Sequence, residues 1–139
     1  LGDVYKRQDI KYVILPDPMA NNSYDEGECT YYVFDLVKND LNMIENSWGD
    51  AEHWAERAEA DGYTVNQSPE AGALLQTSSG EIGHVAYVTD VNNDGSIEIS
   101  EMNFYEQYEI TERTIDSEDI SDYNFIHPKE NPRPKDTLE

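Results

Sequence analysis

A chain of 139 residues, 37% hydrophobic and rich in Tyr, has enough length and apolar content for one folded domain with its own core. Thirty acidic against nine basic residues give a net charge of -21, which argues against a nucleic-acid partner, because binding phosphates needs a cationic face. No apolar run approaches the length of a membrane span, and a single cysteine excludes an internal disulfide. Residues 1–8 read as translated sequencing adaptor, and with no initiator Met and no leader pattern the chain reads as a truncated fragment that does not carry the leader. Residues 1–22 read as an N-terminal connector, with a short strand over 9–15 ended by Pro16 and Pro18. Turn chemistry follows at Asn21-Asn22-Ser23 and Asp25-Glu26-Gly27.

The apolar spacing of Tyr32, Val33, Leu36 and Val37 predicts a helix over 29–38. Cys29, the only cysteine, falls in its first turn, where free N–H groups favour thiolate. A lone cysteine also serves as a small buried hydrophobe, and spacing alone leaves both readings open. A second helix is expected to start near Asp50 and stop at Asp61-Gly62, with Ala51, Trp54, Ala55 and Ala58 inward. His53 on this helix reads as a surface or packing residue. From Tyr63 the period becomes two, which predicts strands over 73–77, 84–91, 96–103, 109–115 and 123–126. Helices first and strands afterwards is the α+β pattern: N-terminal helices packed on an antiparallel sheet. The domain is expected over 23–127, and 128–139 reads as a Pro-rich, charged linker or frayed end.

A cysteine nucleophile needs a histidine to manage its proton and a polar group to orient that histidine. His84 opens a predicted strand, and Glu101 and Asn103 share one face of the next. If Val91 and Ser96 close the hairpin, His84 falls opposite Asn103 and Glu101 opposite Ala86 on that same face. The helix carrying Cys29 is expected to pack against that face. Two other readings compete. Glu101 and Asn103 also fit the outward face of an amphipathic strand. The run Asp90-Val-Asn92-Asn-Asp94-Gly95, with Glu101 after it, fits a calcium-binding loop, although strand alternation on both sides contradicts the helices such a loop needs. The acids around Cys29 (Asp25, Glu26 and Glu28) oppose thiolate formation.

With these residues in place, the chain resembles the CHAP domain, a cysteine- and histidine-dependent amidohydrolase/peptidase, and within it the staphylococcal secretory-antigen type. The resemblance rests on Cys29-Thr-Tyr-Tyr-Val-Phe-Asp35, Ser47-Trp-Gly-Asp-Ala51, Gly83-His-Val-Ala-Tyr-Val88, Ser100-Glu-Met-Asn103 and Tyr123-Asn-Phe-Ile-His127, and spans about residues 24–127. It implies a papain-like fold and a secreted or phage-borne hydrolase that cuts amide bonds of peptidoglycan, in a stem peptide or a cross-bridge. Cys29 would be the nucleophile and His84 the general base; Glu101 would orient His84, and Asn103 would assist orientation or the oxyanion. The family usually carries Gln before the cysteine; here Glu28 stands there, which admits a second reading as a wall-binding module of weak or lost activity. Calcium-binding members carry acids at alternate positions before the cysteine, a pattern only echoed by Asn22, Tyr24 and Glu26, so no cofactor is expected to be required. A monomer is expected.

Overall fold

The computed structural model describes residues 16–133; the strand expected over 9–15 and the adaptor segment lie outside them. Helix α1 (Cys29–Asn39) follows the apolar spacing read from the sequence: Cys29, Thr30, Val33, Phe34 and Val37 lie on its buried stripe. Extended backbone at Glu28 sets its start, and Leu41 (φ 62°) turns the chain away after its end. Strand β1 (Asn42–Met43) comes next. A turn of 3-10 helix (Ala51–His53) then leads into α2 (Trp54–Ala60), with Ala51, Trp54 and Ala58 buried and Ala55 only half-buried.

The strands are β2 (Thr64–Asn66), β3 (Leu74–Thr77), β4 (His84–Val91), β5 (Ile97–Met102), β6 (Ile110–Ile115), β7 (Asn124–His127) and β8 (Lys129–Glu130). Six of them form an antiparallel sheet in the order β2-β7-β3-β4-β5-β6. This is the expected α+β architecture. The period-two reading located β3 to β7 to within a residue or so at their ends, and it missed the short β1, β2 and β8.

Alternation along the strands gives the sheet two apolar faces. Leu74, Val85 and Ile126 pack with α1, Trp48, Trp54 and Tyr63, whereas Leu75, Ala86, Val88, Ile99 and Phe125 form a second cluster on the other side. Trp48 and Trp54 meet edge-on at 5.3 Å, and Trp48 Nε1 donates to Asp61 Oδ2 at 2.8 Å, which ties the end of α2 to the core.

Two expectations are corrected. The segment 128–139 was expected to be a linker or frayed end, but Lys129–Glu130 pairs with β1, and Asn131 is buried and donates to Asp17 Oδ1 at 3.0 Å. The backbone finds hydrogen-bond partners there in spite of the neighbouring prolines. Within the expected connector 1–22, Met19 is fully buried in the core beneath α1.

Candidate active site

The register that brings the site together arises by compensation. The β4–β5 pairing starts at Val91↔Ile97, one residue later than the hairpin read from sequence. A bulge at Thr89 then absorbs one residue, so that Val88 faces Ile99 and Tyr87 faces Ser100. Tyr87↔Ser100 thus restores the register that the spacing predicted, although β5 ends at Met102, before Asn103. Asp90 is paired within the ladder, and Asn92 and Asp94 build the hairpin turn, where Asp94 Oδ1 accepts from Ser96 N and Oγ. Glu101 is spent elsewhere, which disposes of the calcium-loop reading of this run.

His84 is delivered by a tight crossing. Gly83 takes φ +79°, and a Cβ there would sit 2.5 Å from Glu52 N and 2.8 Å from Thr77 O. Only glycine allows this approach, which the bond from Glu52 N to Ile82 O (2.8 Å) closes.

His84 Nε2 lies 2.9 Å from Oε1 of Glu101, whose carboxylate is fully buried. The Cys29 side chain lies near enough to the imidazole to act on its pKa. Because Glu101 engages Nε2, Nδ1 is the ring nitrogen left for sulfur. Burial works to lower the His84 pKa, but the bonds to Cys29 and Glu101 and the charges behind them outweigh it and raise the pKa to about 9. Burial likewise favours a neutral Glu101, and bonds from His84 and Arg113 hold its pKa below the usual carboxylate range. The arrangement therefore favours imidazolium beside the Glu101 carboxylate.

Helix α1 does not pack against the face that carries His84 and Glu101, contrary to expectation. Its partners are Val85 and Leu74 on the opposite face, and Tyr32 Oη meets Ser100 Oγ there at 2.6 Å. Cys29 reaches His84 because His84 is the first residue of β4, so the two meet past the strand's end. Cys29 is 6% exposed and opens onto a small hollow of about 170 Å³ with Glu28, Asp25 and Asp50. On the other side of His84 lies a cleft of about 710 Å³ walled by Thr77, Asn103, Phe104, Arg113 and Tyr123. The two hollows flank the Cys29–His84 pair.

Asn103 departs from its expected place beside the imidazole. It follows β5 in the left-handed region (φ 61°), and its Nδ2 donates to Glu28 Oε1 at 2.8 Å. Gln107 Nε2 donates to the other Glu28 oxygen at 3.2 Å, and Tyr108 N donates to Gly27 O at 3.0 Å. The β5–β6 loop is thereby fastened to the turn before Cys29.

Arg113 was missed by the sequence reading. Its Nε and Nη2 bond Oε2 and Oε1 of Glu101 at 2.6 and 3.1 Å. A signal existed: Arg113 shares the inward side of β6 with buried Ile115, an unusual place for a cation without a partner. His53 pairs with its half-buried neighbour Glu52, and His127 meets Asn66 Oδ1 at 2.8 Å. Neither joins the site. Among the described residues no three His, Cys, Asp or Glu side chains are arranged to hold a metal ion. Of the three positions that echo the calcium pattern, Asn22 bonds Tyr31 O and Asp35 Oδ1, Tyr24 bonds Glu45 O, and Glu26 is exposed. No helix among the described residues is long and apolar enough to cross a membrane.

The chain is 50% identical over 109 residues to staphylococcal secretory antigen ssaA2 of Staphylococcus aureus strain MRSA252, covering 78% of this chain and 39% of that protein. The antigen SsaA of Staphylococcus epidermidis is equally similar, with 41% of its length covered. This chain thus spans about two fifths of the curated relatives it matches. Among solved structures, an N-acetylmuramoyl-L-alanine amidase from Staphylococcus aureus superposes with a TM-score of 0.71 at 36% identity, over 74% of this chain and 30% of that one. Ly7917, solved with the hydrolyzing product of MDP, shares the fold alone, with a TM-score of 0.53 at 21% identity over 74% and 54% of the two chains. The CHAP domain model matches residues 19–103, more than half of the sequence, and the chain belongs to the CHAP domain family.

Proposed function

We propose that this chain is the hydrolytic unit of a secreted or phage-borne cell-wall enzyme that cleaves an amide bond of peptidoglycan through a cysteine thioacyl intermediate. The observation that carries the reading is the row Cys29, His84, Glu101: a buried thiol that raises the imidazole pKa, and a buried carboxylate 2.9 Å from His84 Nε2. The Cys29 thiolate attacks the scissile carbonyl carbon. The oxyanion that forms faces the first N–H groups of α1, including that of Cys29. His84 gives its proton to the leaving amine as the C–N bond breaks. The neutral imidazole then takes a proton from water, which attacks the thioester, and the acid leaves with regeneration of the thiolate–imidazolium pair. Glu101 holds the imidazole in one orientation throughout. Asn103, bonded to Glu28, acts on the wall around Cys29 rather than on His84. The partner is a stem peptide or cross-bridge, and the unit acts as a monomer. The amidase title of the structural relative and the secretory-antigen names of the sequence relatives support this substrate class and an extracellular setting.

A second reading, a binding module of weak activity, is favoured by one observation: the Glu28 carboxylate beside Cys29 engages the amides of Asn103 and Gln107. Digestion of purified peptidoglycan separates the two. The hydrolase reading expects the parent, and not Cys29→Ala, to release amines without reducing ends. Pelleting of the inactive parent with intact walls selects the binding module.

A further inference from the structure

Beyond the Cys29–His84–Glu101 row, the side chains of His84, Glu101, Arg113 and Phe104 close a ring. Glu101 bonds His84 at 2.9 Å and receives two bonds from Arg113 at 2.6 and 3.1 Å. The Arg113 guanidinium lies 3.8 Å over the centre of the Phe104 ring. Phe104 returns to His84, with ring centroids 5.6 Å apart. Each member thus touches two others. Phe104 is 39% exposed, with one face against the guanidinium and its ring beside the imidazole. Both Phe104 and Arg113 also wall the larger cleft.

We propose that Arg113 and Phe104 are positioning residues of this hydrolase: Arg113 fixes the Glu101 carboxylate that aims His84, and Phe104 covers both the imidazole and the guanidinium. The fork shape of Arg matters, because two parallel N–H bonds fix the plane of a carboxylate, whereas a Lys ammonium supplies only a point charge. Without Arg113, the buried carboxylate has only His84 to answer its charge. The Glu101–His84 unit then holds its proton to higher pH, and the imidazole loses one constraint on its plane. Tyr105, at 4.7 Å from Phe104, and Tyr123, which also lines the cleft, complete the surroundings of the guanidinium. The other titratable groups facing this unit are Cys29, and Asp122 in the cleft lining.

This inference rests on the cysteine-hydrolase reading, and its test keeps the two apart. The rate of Cys29 alkylation by iodoacetamide is measured against pH in the parent, Arg113→Gln, Arg113→Lys and Phe104→Leu, with turnover on peptidoglycan measured alongside. In Arg113→Gln the acid limb of the alkylation profile moves up by roughly half a pH unit or more, since a nearby cation has been removed, and turnover falls at least tenfold. Arg113→Lys keeps the limb near that of the parent and still loses turnover. Phe104→Leu, a change on the cleft wall that leaves the core intact, lowers kcat. If Arg113→Gln does not fold, the lysine and leucine variants decide the matter by the same readings. Parental profiles and turnover within twofold in the folded variants overturn the proposal and leave the hydrolase reading standing. A parent that clears peptidoglycan while Cys29 stays unalkylated at every pH overturns both.

Discussion

Replacing Glu101 by Gln tests the centre of the site with a change of one atom type. The carboxylate accepts from His84 and twice from Arg113, and it is fully buried. A glutamine keeps the shape but turns one acceptor into a donor, so an N–H faces an N–H and the Arg113 charge loses its partner. Breaking a buried ion pair from one side costs about 3–5 kcal/mol, against a total stability of about 5–15 kcal/mol for a domain of this kind. The variant is therefore expected to fold, with a thermal midpoint lower by roughly 10–20 °C. Urea unfolding followed through buried Trp48 and Trp54 reads the loss directly. The double variant Glu101→Gln with Arg113→Met is expected to recover part of it, because no charge is left unanswered. Turnover falls in both, by roughly 10²–10⁴-fold, as the imidazole loses its orienting acceptor. An unfolding midpoint unchanged from the parent in Glu101→Gln would refute the reasoning about this carboxylate.

Further outcomes follow from the same geometry. With its pKa raised from 6.5 in the unfolded chain to about 9 in the folded one, His84 adds stability that is fully present below pH 6.5 and lost as pH rises through about 9. The gap amounts to roughly 3 kcal/mol, so the stability difference between the parent and His84→Gln should shrink by about that much across this window in urea titrations. Gly83→Ala drives a methyl to 2.5 Å from Glu52 N at a left-handed φ, and is expected to destabilise by about 1–3 kcal/mol and depress turnover by displacing His84. A domain of net charge -21 gains no steering toward an anionic wall, so turnover on whole walls should rise with salt; equal or faster clearing at low ionic strength contradicts this.

Much of this was legible in the sequence because two periodicities carry it. The spacing of Tyr32, Val33 and Val37 located α1, and the alternation around His84 and Glu101 placed both on one face. The hairpin was read one residue too tight, yet the Thr89 bulge restored the pairing, a compensation no local pattern announces. The face on which α1 packs was not legible. Both sides of β4 are apolar, with Val85 on one and Ala86 on the other, so alternation alone does not say which side the helix takes. Asn103 escaped for a related reason: its left-handed backbone turns it out of the strand pattern toward Glu28. Arg113 lies in a polar run, Thr111-Glu-Arg-Thr114, that reads as an ordinary solvated strand until β5 brings Glu101 beside it.

The claim on which the rest depends is that Cys29 carries the acyl group during amide cleavage. Acid quenching of the parent within its first turnovers on soluble muropeptides, followed by intact-mass measurement, tests it directly. The account predicts a fraction of the protein heavier by the acyl half of the substrate, attached at Cys29 and released by hydroxylamine. Product accumulating at full rate in a Cys29→Ala variant, with no adduct on the parent, would contradict it.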